Sequence, residues 1–164
     1  MLILALPRDA FALADSRNLN GHFGLGFQIG APFAITGKYW LSKEQALQAY
    51  IGTFGRGWNA VGADWVYEFA HVSPGAPVHF GFHIGVGGII AFGDGDCFDT
   101  WGRNRCRFDD NDDDIGVGVR MPIAANMYFN KVPIEVYLEL APVFIVVPGF
   151  AGDLLAGLGG RFYF

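Results

Sequence analysis

Two-residue alternation runs through nearly all of this chain, and it leaves room for little except strands. Over residues 134–146, Ile134, Val136, Leu138, Leu140, Pro142, Phe144 and Val146 share one parity, while Glu135, Tyr137, Glu139, Ala141, Val143 and Ile145 take the other. Side chains of a strand project alternately to opposite faces, so this spacing separates an apolar face from a mixed one. A helix would scatter Glu135 and Glu139 among the aliphatics, and Pro142 would break it. The same parity recurs over residues 22–31, 33–41, 46–54, 61–70, 78–92, 115–129 and 154–164. In 33–41, for example, Phe33, Ile35, Tyr39 and Leu41 oppose Thr36, Lys38 and Trp40, and in 78–92 Phe80, Phe82, Ile84, Val86, Ile90 and Phe92 oppose His79, Gly81, His83, Gly85 and Gly87. Eight strands are predicted.

Which face meets the solvent is the next question. Hydrophobic residues make up 52% of the 164 and charged residues only 16%, against roughly 25% charged in soluble chains. The apolar stretches near 85–93 and 140–152 are interrupted by Gly or Pro and fall short of the roughly 20 residues a spanning helix needs. Lipid accepts only helices and closed barrels, because every backbone N–H and C=O must be paired within the protein. An eight-stranded lumen has room only for side chains or one small ligand, too little for 16 Phe and the aliphatics that share their parity. Turned outward, the bulky set forms a lipid-facing band, and the face carrying Gly, charge and amide lines a narrow interior. The expectation is an all-β, eight-stranded antiparallel up-and-down transmembrane β-barrel over residues 21–164. Residues 1–20 are read as an N-terminal tail or export-signal remnant: the start is apolar and Ala10-Phe11-Ala12 looks like a cleavage site, but Arg8 and Asp9 stand where a signal stays uncharged. A soluble lipocalin-like carrier, with the Phe face turned inward, is the alternative architecture.

At Gly159-Gly160-Arg161-Phe162-Tyr163-Phe164 the sequence resembles the C-terminal assembly signal of outer-membrane barrels. Gly159, Phe162 and Phe164 match its pattern, and Gly157 replaces its usual polar residue. With eight strands, the chain is similar to the small OmpA/OmpX-like outer-membrane barrels from Gly21 onward. The resemblance implies the outer membrane of a Gram-negative bacterium, contact with its lipid and lipopolysaccharide, recognition by the barrel-assembly machinery, and a periplasmic C-terminus. Counting back from that end, the turns at 42–45, 72–77 and 130–133 fall inside and the long connection 93–114 outside, the asymmetry such barrels show. Phe23, Tyr39, Tyr67, Phe69, Phe80, Phe129, Phe162 and Phe164 then gather at one rim, like an interfacial girdle.

Candidate chemistry lies on the inward parity. Lys38, Arg120 and Arg161 share it with Asp64, Glu68, Glu135 and Glu139. A charged network plugging the lumen is expected, since an unpaired buried ion costs several kcal/mol or so; a gated ion path is the functional alternative. His22, His79 and His83 are also placed inward, and His79 and His83, roughly 13 Å apart at the rise of a strand, cannot chelate one metal between them. His71-Val72-Ser73 resembles the His-x-Ser pair of the lipid A deacylase barrels, but it falls at a periplasmic turn beside Pro74, and coincidence is the preferred reading. In 93–114, Asp94, Asp96 and Asp99 are weak Ca²⁺ candidates, set against a solvated acidic loop stapled by a Cys97–Cys106 disulfide. No cofactor is expected. A net charge of −5 with no basic stripe argues against nucleic acid. A monomeric, non-enzymatic barrel with a structural or surface-interaction role is expected, with a lipid-modifying enzyme as the alternative.

Overall fold

A computed structural model describes residues 22–55, 58–72, 78–93, 114–147 and 150–164. Residues 1–20, the Cys97–Cys106 pair, the Asp94, Asp96 and Asp99 candidates, the His71 side chain and Ser73 lie outside the described residues.

The strands are β1 (Phe23–Gly30), β2 (Phe33–Trp40), β3 (Gln45–Gly55), β4 (Trp58–Val72), β5 (Val78–Gly93), β6 (Asp114–Arg120), β7 (Ile123–Phe129), β8 (Ile134–Val147) and β9 (Ala151–Tyr163). Sequence neighbours pair antiparallel from β1 to β5. β6 and β7 both lie between β5 and β8. β8 pairs with β9 and β9 with β1, which closes the ring. β6 and β7 are therefore one wall position in two pieces, and the barrel is eight-stranded, as expected.

The reading of 115–129 as one unbroken strand is corrected at Met121-Pro122. Proline has no N–H to give the ladder. The wall is held across the break by Met121 N donating to Pro142 O at 3.0 Å and Gly85 N donating to Pro122 O at 2.8 Å.

Burial follows parity. Along β2, Phe33, Ile35 and Tyr39 are exposed and Ala34, Thr36, Lys38 and Trp40 buried. Phe27 is 65% exposed and its neighbour Gln28 only 5%. Most bulky apolar side chains thus face away from the axis, with some on every strand, the arrangement that suits hydrocarbon outside and the reverse of a lipocalin-like carrier. Short connections at 41–44 and 130–133 mark one end of the barrel, here the turn end, where His22 and Phe164 also lie. The predicted aromatic set gathers there: Phe23 pairs with Tyr39, and the Phe162 and Phe164 rings meet edge-on at 5.1 Å. At the opposite, loop end, β1 turns into β2 at Gly30. Its φ of 129° and an Ala156 carbonyl oxygen 2.3 Å from where a Cβ would sit leave only glycine possible.

The interior is layered. Toward the loop end it is apolar, with Tyr50, Trp58, Ile89, Val143, Ile145 and Leu155 packed together. The expected polar interior is thus confined to the middle and the turn end, where the ionic groups lie beside a second cluster of Trp40, Val66, Tyr128 and Tyr163.

Candidate functional site in the lumen

Register brings the charges together before any rotamer is chosen. Lys38 pairs with Gln48, Gln48 with Asp64, Asp64 with Gly87 and Gly87 with Arg120, one row across β2–β6. Glu135 pairs with Arg161 across β8 and β9. Gly87 has a role that alternation alone does not disclose. A Cβ there would sit 2.1 Å from Asp64 Oδ1 and 2.2 Å from the Ala63 carbonyl oxygen. Its missing side chain lets Asp64 and Arg120, on strands either side of β5, meet.

One group centres on Arg120. Its Nε lies 3.3 Å from Asp64 Oδ1 and its NH2 2.5 Å from Glu139 Oε1. The Tyr50 ring stands 4.6 Å from its guanidinium. Gln48 Nε2 donates to Asp64 Oδ2 at 3.1 Å and to Glu139 Oε2 at 2.9 Å, so both carboxylates share a neutral donor as well as a cation.

A second group centres on Glu135. Lys38 Nζ is 3.1 Å and Arg161 NH1 3.4 Å from its Oε1, and Tyr163 donates its hydroxyl to Oε2. Arg161 also donates through Nε to Thr36 Oγ1 at 3.2 Å and stacks 3.9 Å over Tyr137. Lys38 lies 4.4 Å above the Trp40 ring. Cations held between carboxylates and aromatic faces are stabilised twice over in a low dielectric.

Glu68 belongs to a third group. Tyr128 donates its hydroxyl to Glu68 Oε2 at 2.6 Å, and Asn126 Nδ2 donates to the same oxygen at 3.1 Å. Asn126 Nδ2 also lies 2.9 Å from His83 Nδ1, which makes that ring nitrogen the acceptor. All seven charged candidates are thus buried in one interior, in three adjoining groups.

The placement of His22 needs correcting. His83 is fully buried, and half-buried His79 shares its parity and pairs with buried Tyr128, but His22 is exposed, its ring 6.5 Å from that of outward-facing Tyr39. β1 begins only at Phe23, so strand parity does not govern residue 22. Of the assembly-signal residues, Phe162 and Phe164 face outward at the turn end. Gly159 faces inward, with the Tyr137 ring 2.3 Å from where a Cβ would be. Among the described residues no three His, Cys, Asp or Glu side chains form a group that could hold a metal ion.

Comparison with solved structures sets this ring beside known ones. The N-terminal β-barrel domain of Pseudomonas aeruginosa OprF superposes with a TM-score of 0.51 at 15% identity, covering 87% of this chain and 95% of that one. In fold, this chain is a small eight-stranded antiparallel β-barrel like that domain. The match to Neisserial surface protein A covers 87% of this chain and 93% of that one at 12% identity, with a TM-score of 0.46. No protein-family model and no curated protein matches the sequence.

Proposed function

We propose that this protein is a non-enzymatic barrel of the Gram-negative outer membrane, with a lumen closed by its own side chains and a structural or surface-interaction role. The support for the membrane is the outward apolar band, together with a fold shared with an outer-membrane-type domain. The support for a closed lumen is one observation: Lys38, Glu135, Glu68, Arg120, Asp64 and Arg161 are each at most 3% exposed, although all six are charged and point to the axis. Water filling a continuous path would touch at least some of them.

In this reading the short turns face the periplasm, the connection between β5 and β6 is displayed outside, and its aspartates meet ions, lipopolysaccharide or partners. The barrel-assembly machinery inserts the chain, reading Phe162 and Phe164. Planar-bilayer recording tests the closed lumen. The purified barrel should give no stable openings, whereas sustained open levels would contradict it.

A further inference from the structure

We propose that Glu68, Asn126 and His83 form a proton-operated switch in the lumen: two protons enter together, one on the carboxylate and one on the imidazole, as the Asn126 amide turns over between them. The inference goes beyond the closed lumen above by giving part of it a response to acid. It starts from a charge imbalance. Among the described residues, the buried interior sets Lys38, Arg120 and Arg161 against Asp64, Glu68, Glu135 and Glu139, so with neutral histidine one carboxylate is in excess. Asp64, Glu135 and Glu139 each lie within 3.4 Å of a cationic nitrogen. Glu68 accepts from the Tyr128 hydroxyl and the Asn126 amide.

The contacts run in one direction. Asn126 Nδ2 is 3.1 Å from Glu68 Oε2 and 2.9 Å from His83 Nδ1. Its two hydrogens serve both acceptors, which makes Glu68 a carboxylate and puts the imidazole proton on Nε2. Asn126 Oδ1 and His83 Nε2 have no hydrogen-bond partner among the described residues. A half-turn of the amide exchanges its nitrogen and oxygen at nearly the same positions. Oδ1 then faces Glu68 Oε2 and His83 Nδ1 and accepts from both, provided that each carries a hydrogen. One proton does not suffice. With only His83 charged, the turned amide oxygen meets a carboxylate oxygen; with only Glu68 Oε2 protonated, it meets the bare lone pair of Nδ1. The amide therefore favours no protons or two, and it couples the two titrations.

The strands around this chain bring further ionisable groups to the same interior. Lys38 comes from β2, Tyr50 from β3, Asp64 from β4, half-buried His79 from β5 and Arg120 from β6. Tyr128 comes from β7, Glu135, Tyr137 and Glu139 from β8, and Arg161 and Tyr163 from β9. The charges of Lys38, Arg120, Arg161 and Glu135 all act on the His83 ring. Lys38 joins the chain through Tyr128, its Nζ 3.4 Å from the hydroxyl that Glu68 accepts. Two protons drawn from water change the interior from one net negative charge to one net positive charge. Glu68 then no longer offers Lys38 a negative charge through Tyr128, and Lys38 keeps its ion pair with Glu135. Acid thus weakens the tie from β2 to β4 and β5 without breaking the ladder.

Nitrogen-15 NMR of the full chain, labelled at histidine and folded in detergent micelles, provides the test, with infrared spectra of the same samples. The His83 signals are those lost in His83→Gln. At about pH 8, Nδ1 should be bare and Nε2 protonated. Acidification to about pH 4 crosses the ordinary ranges of imidazole and carboxyl groups. In that interval the ring should become doubly protonated in a step steeper than one proton, and the carbonyl band of one buried carboxylic acid should appear with the same midpoint. Glu68→Gln should remove the band, and Asn126→Leu should return the ring to a single-proton step. A proton on Nδ1 at about pH 8, a ring that stays neutral throughout, separate midpoints for ring and carboxyl, or a step equally steep in Asn126→Leu would each overturn the proposal. If the variants do not fold, the wild-type barrel decides: one histidine and one carboxyl must titrate with a shared midpoint and a steepness above one. Loss of the folded barrel in place of that shared step would also overturn it.

Discussion

Lys38 Nζ lies 3.1 Å from Glu135 Oε1 across the barrel axis, both side chains fully buried, 97 residues apart in sequence. A pair so placed ties β2 to β8 through the interior, where no backbone ladder connects them. Lys38→Met leaves Glu135 with Arg161 and Tyr163, and Glu135→Gln leaves two cations short of a carboxylate. Removing one partner of a buried pair typically costs about 3–5 kcal/mol. Both single variants should lose that much in urea titrations of the refolded barrel in vesicles. The double variant should lose less than their sum, and additivity would show the pair to be uncoupled.

Tyr163→Phe removes the hydroxyl that Glu135 accepts. Hydrogen bonds to charged groups contribute about 1.5–3 kcal/mol. The same titration should show a loss in that range with the barrel still formed; an unchanged midpoint would mean Lys38 and Arg161 satisfy Glu135 alone.

Gly87 and Gly88 are chain neighbours with opposite demands. Gly87→Ala forces a Cβ onto Asp64 and should destabilise by about 1–3 kcal/mol, as overpacking does. Gly88→Ala meets nothing closer than 3.8 Å and should stay within about 0.5 kcal/mol of wild type. Equal effects would mean the two faces are misassigned.

These contrasts also show how far the sequence could be read. Alternation located the strands and put all seven charged residues on one face, because a polar residue between apolar ones declares its parity. Parity put Val143 and Ile145 opposite Phe144, but it did not show that inward aliphatics such as Val143 and Ile89 pack into an apolar layer of the lumen. A lumen-packing aliphatic and a lipid-facing one look alike in sequence, so the apolar loop-end layer around Trp58 and Leu155 was hidden. The break at Pro122 was visible as a proline, but only register shows that the wall continues through it. The part played by Gly87 depends on what stands on both neighbouring strands, which no local pattern records.

Outward charge should be costly in proportion to depth. Leu158, midway along β9 and half exposed, should cost about 2–4 kcal/mol when changed to Arg, while Tyr39→Arg at the turn-end rim should cost about 0–1 kcal/mol. Folding titrations in vesicles check the difference. Equal costs at the two depths would argue against a hydrocarbon layer around the barrel.

The direction of the side chains is tested most directly by nitroxide labels in a Cys97→Ser/Cys106→Ser background, introduced one at a time at Ile51 and Leu138 and read by collision with oxygen and with a water-soluble nickel chelate in vesicles. The account predicts high oxygen and low nickel accessibility at both sites. High nickel accessibility at Ile51 and Leu138 would place that face in water and contradict it.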